Sequence, residues 1–324
     1  MSSPNNSASD PTFQTVIGRH CFDVTQNVPL ARAFDFLAML YPQLFVDILP
    51  PGRRGAYTGT CNATGDPVTD VDFEANQFLV GKLTAAGYHV LSEESTTEDG
   101  MEHPTGPTKG LIIALDPLDG SRATFGATQP YGMIAGIYRG EHFDHPGRQL
   151  IGSMVITVGR EVQALVSYRG RGAYRFRFVT QPSVWNAPAG NKLCIPRKAE
   201  FEQIGGTRRD LSTEMSAFFN EKGLSNGYFR CLAADVDFML TLSGGSIFLH
   251  PKEKLRCLYE CLVVMQLVEE AGGAAYLLDG HRARPYYAYA ACDNLHAASA
   301  AVFGSKDTVR DFLACLRDKK ESHN

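Results

Sequence analysis

The chain has 324 residues, with 31 Lys+Arg against 35 Asp+Glu (formal net charge −4), 44% hydrophobic and 20% charged residues. That balance excludes an intrinsically disordered chain and a nucleic-acid binder that works by bulk charge. The length suits two domains or one large layered unit, and no apolar run reaches the roughly 18 residues of a membrane span.

Residues 1–12 are polar, carry no apolar signal core and read as a disordered tail. Apolar residues at helical spacing then predict a helix from Pro29 to Ile48, stopped by Pro50-Pro51, and a second from about Val68 to Ala86 before Gly87. A short strand, Tyr88–Leu91, ends in Ser92-Glu93-Glu94-Ser95. After a polar loop, Gly110–Leu115 is a buried-strand run that ends in Asp116.

Strands are expected at Met133–Tyr138, Leu150–Val158, Glu161–Tyr168 and Ala173–Val179, with short turns that make neighbours antiparallel. The Pro/Asn/Gly-rich stretch from Gln181 to Lys192 is the expected boundary between two halves, with Trp185 packing inside it. Beyond it the pattern predicts helices at Leu211–Lys222 and Asp235–Leu242, a strand at Ser246–His250, and one long helix from about Lys254 to Ala271 closed by Gly272-Gly273. Strands at Ala274–Leu278 and near Ala290 and a final helix Thr308–Lys319 complete the chain. The expected fold class is therefore α+β, layered, with mixed and largely antiparallel sheets rather than a doubly wound Rossmann sheet.

The eight cysteines are scattered and form no CxxC, and no Cys/His set has zinc spacing, so most of them are expected to be buried small hydrophobes in a cytoplasmic protein. His20, His89, His142, His145, His281 and His296 likewise lack ligand spacing and read as structural or surface residues.

Chemistry concentrates in Asp116-Pro117-Leu118-Asp119-Gly120-Ser121. A strand delivers one carboxylate, a Pro-started turn returns a second, and Gly120 and Ser121 offer backbone N–H groups to an anion. Two clustered carboxylates suit Mg²⁺ or Mn²⁺; they also suit a capped helix start with two exposed acids. Glu93 and Glu94 sit at another strand end, where active-site groups collect in layered folds. Glu260 lies in a helix apolar almost all round, where it binds metal or pairs with Arg256 four residues earlier. Asp66, Asp70 and Asp72 either cap the following helix, the reading that suits Asp70 best, or orient a metal-bound water.

Together with Lys254–Glu260 followed by Glu270-Ala-Gly-Gly273, and with Asp66–Asn76 and Asp293–Ser305, these segments resemble the class I fructose-1,6-bisphosphatase and sedoheptulose-1,7-bisphosphatase family. That family belongs to the lithium-sensitive, magnesium-dependent phosphatases that include inositol monophosphatase. Order and spacing agree from about residue 60 to 140 and from about 230 to 310.

The resemblance implies a five-layer αβαβα fold. One half, residues 13–185, carries the metal motif, and the other, 186–324, carries sugar-phosphate-binding residues and Glu260. It implies two or more Mg²⁺ (or Mn²⁺) ions on Glu93, Asp116, Asp119, Glu260 and the Leu118 carbonyl. Asp66, Asp72 and Glu94 would orient and deprotonate the attacking water. Gly120 and Ser121 would cradle the scissile phosphate, with Lys254 and Arg230 on the sugar and the distal phosphate. The implied partners are a sugar bisphosphate and further copies of the chain, as a homodimer or homotetramer, with no nucleic acid and no membrane.

Departures from the family narrow the expectation. Arg122-Ala123 replaces a second Ser and an Asn, and Arg122 either grips a phosphate bidentately or lies on the surface. The tyrosines that flank the distal phosphate of fructose-1,6-bisphosphatases become Cys231 and His250, no Asn-Glu-Gly segment appears, and Lys109-Gly110 replaces the Lys-Tyr pair of their AMP site. No cysteine pair suggests a regulatory disulfide. Gly304-Ser305-Lys306 leans toward the sedoheptulose enzymes. The expected function is hydrolysis of the 1-phosphate of sedoheptulose-1,7-bisphosphate. The alternatives are fructose-1,6-bisphosphate, alone or as a second substrate, then an inositol-monophosphatase-like or nucleotide 3′-phosphatase activity, then a non-catalytic sugar-phosphate-binding protein.

Overall fold

The structure is a computed structural model that describes residues 28–47, 55–62, 65, 67–95, 100–120, 130–159, 161–180, 183–241, 244–280, 282–290 and 294–318. The expectations for the tail and for Asp66, Ser121, Arg122 and Asp293 lie outside the described residues. Beside a small antiparallel pair, β1 (Tyr57–Cys61) and β2 (Pro67–Thr69), two large sheets organise the chain.

The first sheet contains β3 (His89–Ser92), β4 (Met101–Glu102), β5 (Leu111–Asp119), β6 (Tyr131–Arg139), β7 (Leu150–Val158), β8 (Val162–Tyr168), β9 (Gly172–Thr180) and β10 (Ser183–Asn186). They lie in the order β10-β9-β8-β7-β6-β5-β3-β4, with β11 (Lys192–Leu193) also paired to β9. Only β3 and β5 run parallel in this sheet. The second sheet has the order β13-β12-β14-β17-β15-β16, built from β12 (Phe201–Ile204), β13 (Ser225–Asn226), β14 (Ser246–Arg256), β15 (Ala274–Asp279), β16 (Arg282–Pro285) and β17 (Ala298–Gly304).

Seven α-helices among the described residues cover these sheets: α1 (Val28–Asp47), α2 (Asp70–Ala85), α3 (Pro146–Gln149), α4 (Thr213–Lys222), α5 (Leu232–Thr241), α6 (Leu262–Glu270) and α7 (Lys306–Asp318). Strand periodicity sorts the cores. Ile113, Leu115 and Met154 face α1 and α2 in one cluster. Their neighbours Ile112, Ala114 and Val155 face the other way, onto α5, α6 and the inner face of the second sheet, represented by Phe248 and Phe303. Ile247, Leu249 and Val302 form the outer face under α4 and α7. The layers are therefore αβαβα, and strands buried on both faces read as continuous apolar runs. Helix α6 is buried on every side from Leu262 to Val268, and its Gln266 is satisfied by Ser153 Oγ (2.7 Å) and the Leu150 carbonyl (3.2 Å).

Several boundaries differ from the sequence reading. The stretch around Trp185 is strand β10, with the indole N–H donating to the Ala38 carbonyl at 2.8 Å. The helix expected from Lys254 is instead the end of β14, then a π-helical turn over Cys257–Cys261, and α6 begins only at Leu262. The strand expected near Ala290 is absent among the described residues there, where Tyr286–Ala288 form a 3₁₀ turn; β17 begins at Ala298. No helix among the described residues is long and apolar enough to cross a membrane.

Candidate active site

The site begins with a β-bulge. In β5, Asp116 pairs with Ile134 and Asp119 with Gly132, so three steps on one strand oppose two on the other. Residues three apart on a regular strand point to opposite faces; the extra residue brings both carboxylates back to one side. The Leu118 N–H donates to Asp116 Oδ1 at 2.9 Å and fixes the bulge. The motif is thus a bulged strand, where the sequence suggested a turn. Parallel pairing of Ser92 with Leu115, and the Glu93 N–H donated to the Leu115 carbonyl (3.0 Å), set Glu93 beside Asp116.

Glu260 arrives from the second half on the π-helical turn, whose wide i→i+5 bond joins the Leu262 N–H to the Cys257 carbonyl. Such turns are rare and gather at functional sites. Glu260 Oε2 accepts from the backbone N–H of Arg256 at 2.5 Å, and the Arg256 charge also favours the ionised carboxylate. Asp119 Oδ2 accepts from the Ala233 N–H at 2.6 Å and from Cys231 Sγ at 3.3 Å, in the first turn of α5.

Burial first, and then the charges of Glu93, Asp119 and Glu260, push the Asp116 carboxyl well above the usual carboxylate range. Burial and Glu93 do the same to Glu260. Burial also raises Asp119, opposed by its hydrogen bonds from Ala233 and Cys231. Acids that raise one another in this way are the oxygen donor set a hard divalent cation requires, and they fit one by charge and ligand type. Among the described residues, no three His, Cys, Asp or Glu side chains already stand as a closed ligand shell. Asp116, Asp119 and Glu260 are each held by a different peptide N–H.

Asp72 has one oxygen engaged in the start of α2. Its Oδ2 accepts from the Thr69 N–H (3.0 Å) and hydroxyl (2.6 Å) in a capping box. The cap assigned to Asp70 therefore belongs to Thr69 and Asp72, while Asp70 Oδ1 accepts from the Ala56 N–H at 2.8 Å. A Thr three residues ahead of an acid was the available signal. Asn76 on α2 reaches the Glu93-Glu94 segment, donating to the Glu94 carbonyl (3.2 Å) and accepting from Ser92 Oγ (2.6 Å).

Glu93, Asp119, Gly120 and Glu260 line a cleft of about 870 Å³ that Arg230, Lys252, Lys254 and Arg256 line as well. Gly120 has φ +88°, and a Cβ there would meet Cys231 Sγ at 3.1 Å, so only glycine fits. Lys252 and Lys254 stand out because β14 takes five steps from His250 to Leu255 while β17 takes two. Lys252 pairs with Asp210 at 2.5 Å, which holds the Asp210 carboxyl down at about 2. Sequence reasoning found Lys254 and missed Lys252, although two lysines two residues apart share a strand face. His250 Nδ1–H donates to the Lys252 carbonyl at 2.9 Å. Arg230 has φ +67° and is the one non-glycine residue in the left-handed region among those described.

The site therefore joins Glu93, Asp116, Asp119, Gly120, Arg230, Lys254 and Glu260 in and around one cleft. Asp72 and Glu94 are tied to its rim through α2 and the end of β3.

Comparison with known proteins agrees with this architecture. The family model "Fructose-1-6-bisphosphatase, C-terminal domain" matches residues 196–317. The class 1 fructose-1,6-bisphosphatase of Trichlorobacter lovleyi is 29% identical over 235 residues, covering 67% of this chain and 70% of that protein. A Helicobacter pylori class 1 fructose-1,6-bisphosphatase is 28% identical over 239 residues, covering 72% and 77%. The Leishmania major fructose-1,6-bisphosphatase in holo form shares the fold with a TM-score of 0.80 at 20% identity, over 95% of this chain and all of that one. A candidate sedoheptulose-1,7 bisphosphatase from Toxoplasma gondii shares it at 0.75 and 20% identity, over 89% and 94%. Residues 196–317 match the C-terminal domain of fructose-1,6-bisphosphatases, and the chain is similar to class 1 fructose-1,6-bisphosphatases over about two thirds of its length or more. It is a phosphoric monoester hydrolase, in a family that is generally metal-dependent.

Proposed function

We propose that the chain hydrolyses the 1-phosphate of sedoheptulose-1,7-bisphosphate. The observation that carries a bisphosphate reading is the composition of the cleft: the half-buried carboxylates Glu93, Asp119 and Glu260 and the cations Arg230, Lys252 and Lys254 line the same 870 Å³. One phosphate would need the first set, with the cations it would hold, and a second phosphate the other.

Glu93, Asp116, Asp119, Glu260 and the Leu118 carbonyl would hold Mg²⁺ or Mn²⁺, two or more ions per site. When bound, such ions neutralise phosphate charge and lower the pKa of water. Gly120, with Ser121, cradles the scissile phosphate, and Arg122 grips it. Asp66, Asp72 and Glu94 orient the attacking water and accept its proton. The P–O ester bond breaks, the sugar oxygen takes a proton, and inorganic phosphate leaves.

Sequence departures support the seven-carbon sugar: Cys231 and His250 stand where the family resemblance puts the tyrosines that flank the distal phosphate, and His250 lines the cleft. Fructose-1,6-bisphosphate is the second reading, because the curated relatives are fructose-1,6-bisphosphatases. We place the enzyme in the cytoplasm, as a homodimer or homotetramer; sizing by light scattering checks the assembly.

The deciding experiment is phosphate release with Mg²⁺ from sedoheptulose-1,7-bisphosphate, fructose-1,6-bisphosphate and inositol-1-phosphate at matched concentrations. The highest kcat/KM is expected for the first, with all release stopped by EDTA. A higher kcat/KM for fructose-1,6-bisphosphate overturns the sedoheptulose reading. No release from either bisphosphate overturns the sugar-bisphosphate reading.

A further inference from the structure

The segment between Phe229 and Asp235 is held from both ends by one residue. Asp235 is fully buried, and its Oδ1 accepts from the Phe229 N–H at 2.7 Å. Its own N–H donates to the Cys231 carbonyl at 2.8 Å. Arg230, in its left-handed conformation, lies between those two anchors. An arginine does not rest there unaided, because its Cβ crowds the following carbonyl; something must over-determine the turn.

Asp235 is in turn fixed from the second sheet. Gln203 on β12, also fully buried, donates Nε2–H to Asp235 Oδ1 (3.1 Å) and to the Asp235 carbonyl (2.8 Å). Ser246 Oγ on β14 completes the chain by donating to Gln203 Oε1 at 2.8 Å. Yet Asp235 Oδ2 is buried without a hydrogen-bond partner. A buried carboxyl that is only half satisfied is a poor way to fill a core, and so calls for another explanation.

We propose that Asp235 is a positioning residue for substrate binding: it locks the Phe229–Cys231 turn so that the Arg230 guanidinium is presented to the distal phosphate. Asp235 touches no reacting atom and acts through Arg230. The inference rests on the reading of Arg230 as the distal-phosphate arginine.

The test compares Asp235→Ala, Asp235→Asn and Arg230→Ala in the full chain. Asn keeps an acceptor for the Phe229 N–H; Ala does not. Should the alanine variant fail to fold, Asp235→Ser, too short to reach Phe229, takes its place. The kinetic readout is the ratio of kcat/KM for a sugar bisphosphate to that for the matching 1-phosphate, which lacks the distal group. In Asp235→Ala this ratio is expected to fall roughly tenfold, mainly through KM, as in Arg230→Ala, and Asp235→Asn restores it. The second readout is independent of activity: limited trypsin digestion after Arg230, which is exposed. Cleavage is expected to be faster in Asp235→Ala and as slow as wild type in Asp235→Asn.

A wild-type ratio with wild-type cleavage in Asp235→Ala overturns the proposal, as does an Asn variant that behaves like Ala. If Arg230→Ala leaves the ratio unchanged while Asp235→Ala speeds cleavage, the distal-phosphate reading falls and the locking of the turn by Asp235 stands.

Discussion

The N–H of Ala233 points at Asp119 Oδ2 from 2.6 Å, so the first turn of α5 grips a carboxylate carried by the opposite half of the chain. The positive end of a helix favours an anion there, which offsets part of the burial that raises Asp119. The same short segment contains Arg230. Whatever displaces it disturbs both the acidic and the basic lining of the cleft.

Replacing Asp119 with Asn or Glu260 with Gln is expected to abolish turnover, by about a thousandfold or more, because a carboxylate ligand becomes a neutral amide while the shape is kept. Both variants should stay folded, since an amide oxygen can still accept from Ala233 or Arg256. Phosphate release and far-UV circular dichroism check the two halves of this statement. Unchanged turnover in either variant removes that residue from the metal site.

Mutual repulsion among Glu93, Asp116, Asp119 and Glu260 burdens the folded state until a cation joins them. Adding Mg²⁺ should therefore raise the melting temperature, by about 2.7 kcal/mol in stability at a hundred times the dissociation constant. The gain should shrink in Asp119→Asn. Thermal unfolding with Mg²⁺ and with EDTA measures both.

Asp237 on α5 predicts a pH dependence away from the active-site carboxylates. Burial raises its carboxyl to about 6, against the opposing hydrogen bond from Thr157 Oγ1 at 3.1 Å. The folded state thus holds the proton more tightly than the unfolded chain. Its stabilising contribution is complete below the unfolded carboxylate pKa of about 4 and is lost as pH rises to about 6. Asp237→Asn lacks this dependence. Its stability relative to wild type should improve by roughly 2–3 kcal/mol between pH 4 and 7, an upper bound from linkage. Denaturant unfolding at several pH values tests it; parallel curves for the two proteins would refute the assignment.

Trp185 is the single tryptophan, 2% exposed, and its indole N–H is paired with the Ala38 carbonyl in α1. Trp185→Phe should cost about 1–3 kcal/mol, since it leaves a carbonyl unpaired under the first sheet and removes buried ring area. In the wild-type protein the same residue makes fluorescence a direct report on the packing of α1 against β10.

Much of this was legible because buried strands and acidic motifs leave strong marks. The run Leu111–Leu115 named a strand, and β5 carries Asp116 and Asp119 at its end. The helix expected from Lys254 failed because Leu255–Met265 is apolar almost throughout, and such a run has no period to separate strand from helix. β17 was missed because Ala298–Gly304 is mostly alanine and other small residues, which strand propensity disfavours but which fit between β14 and β15. β10 was taken for a linker because its flanks hold Pro, Asn and Gly. In the site, the carboxylates could be read off, and their restraints could not. Asp119 is held by the peptide of Ala233 and Glu260 by the peptide of Arg256, and a backbone N–H carries no sequence mark.

The π-helical turn that bears Glu260 has a consequence for chain length. It holds one residue more than an ordinary helical turn, between a strand and a helix that are both walled in. Deleting a single residue from Cys257–Cys261 would let the segment rewind as α-helix and swing the carboxylate by about 100° around the axis, away from Asp116. Here the number of residues, and not only their chemistry, sets where the carboxylate points, in a stretch whose composition looks like any buried helix.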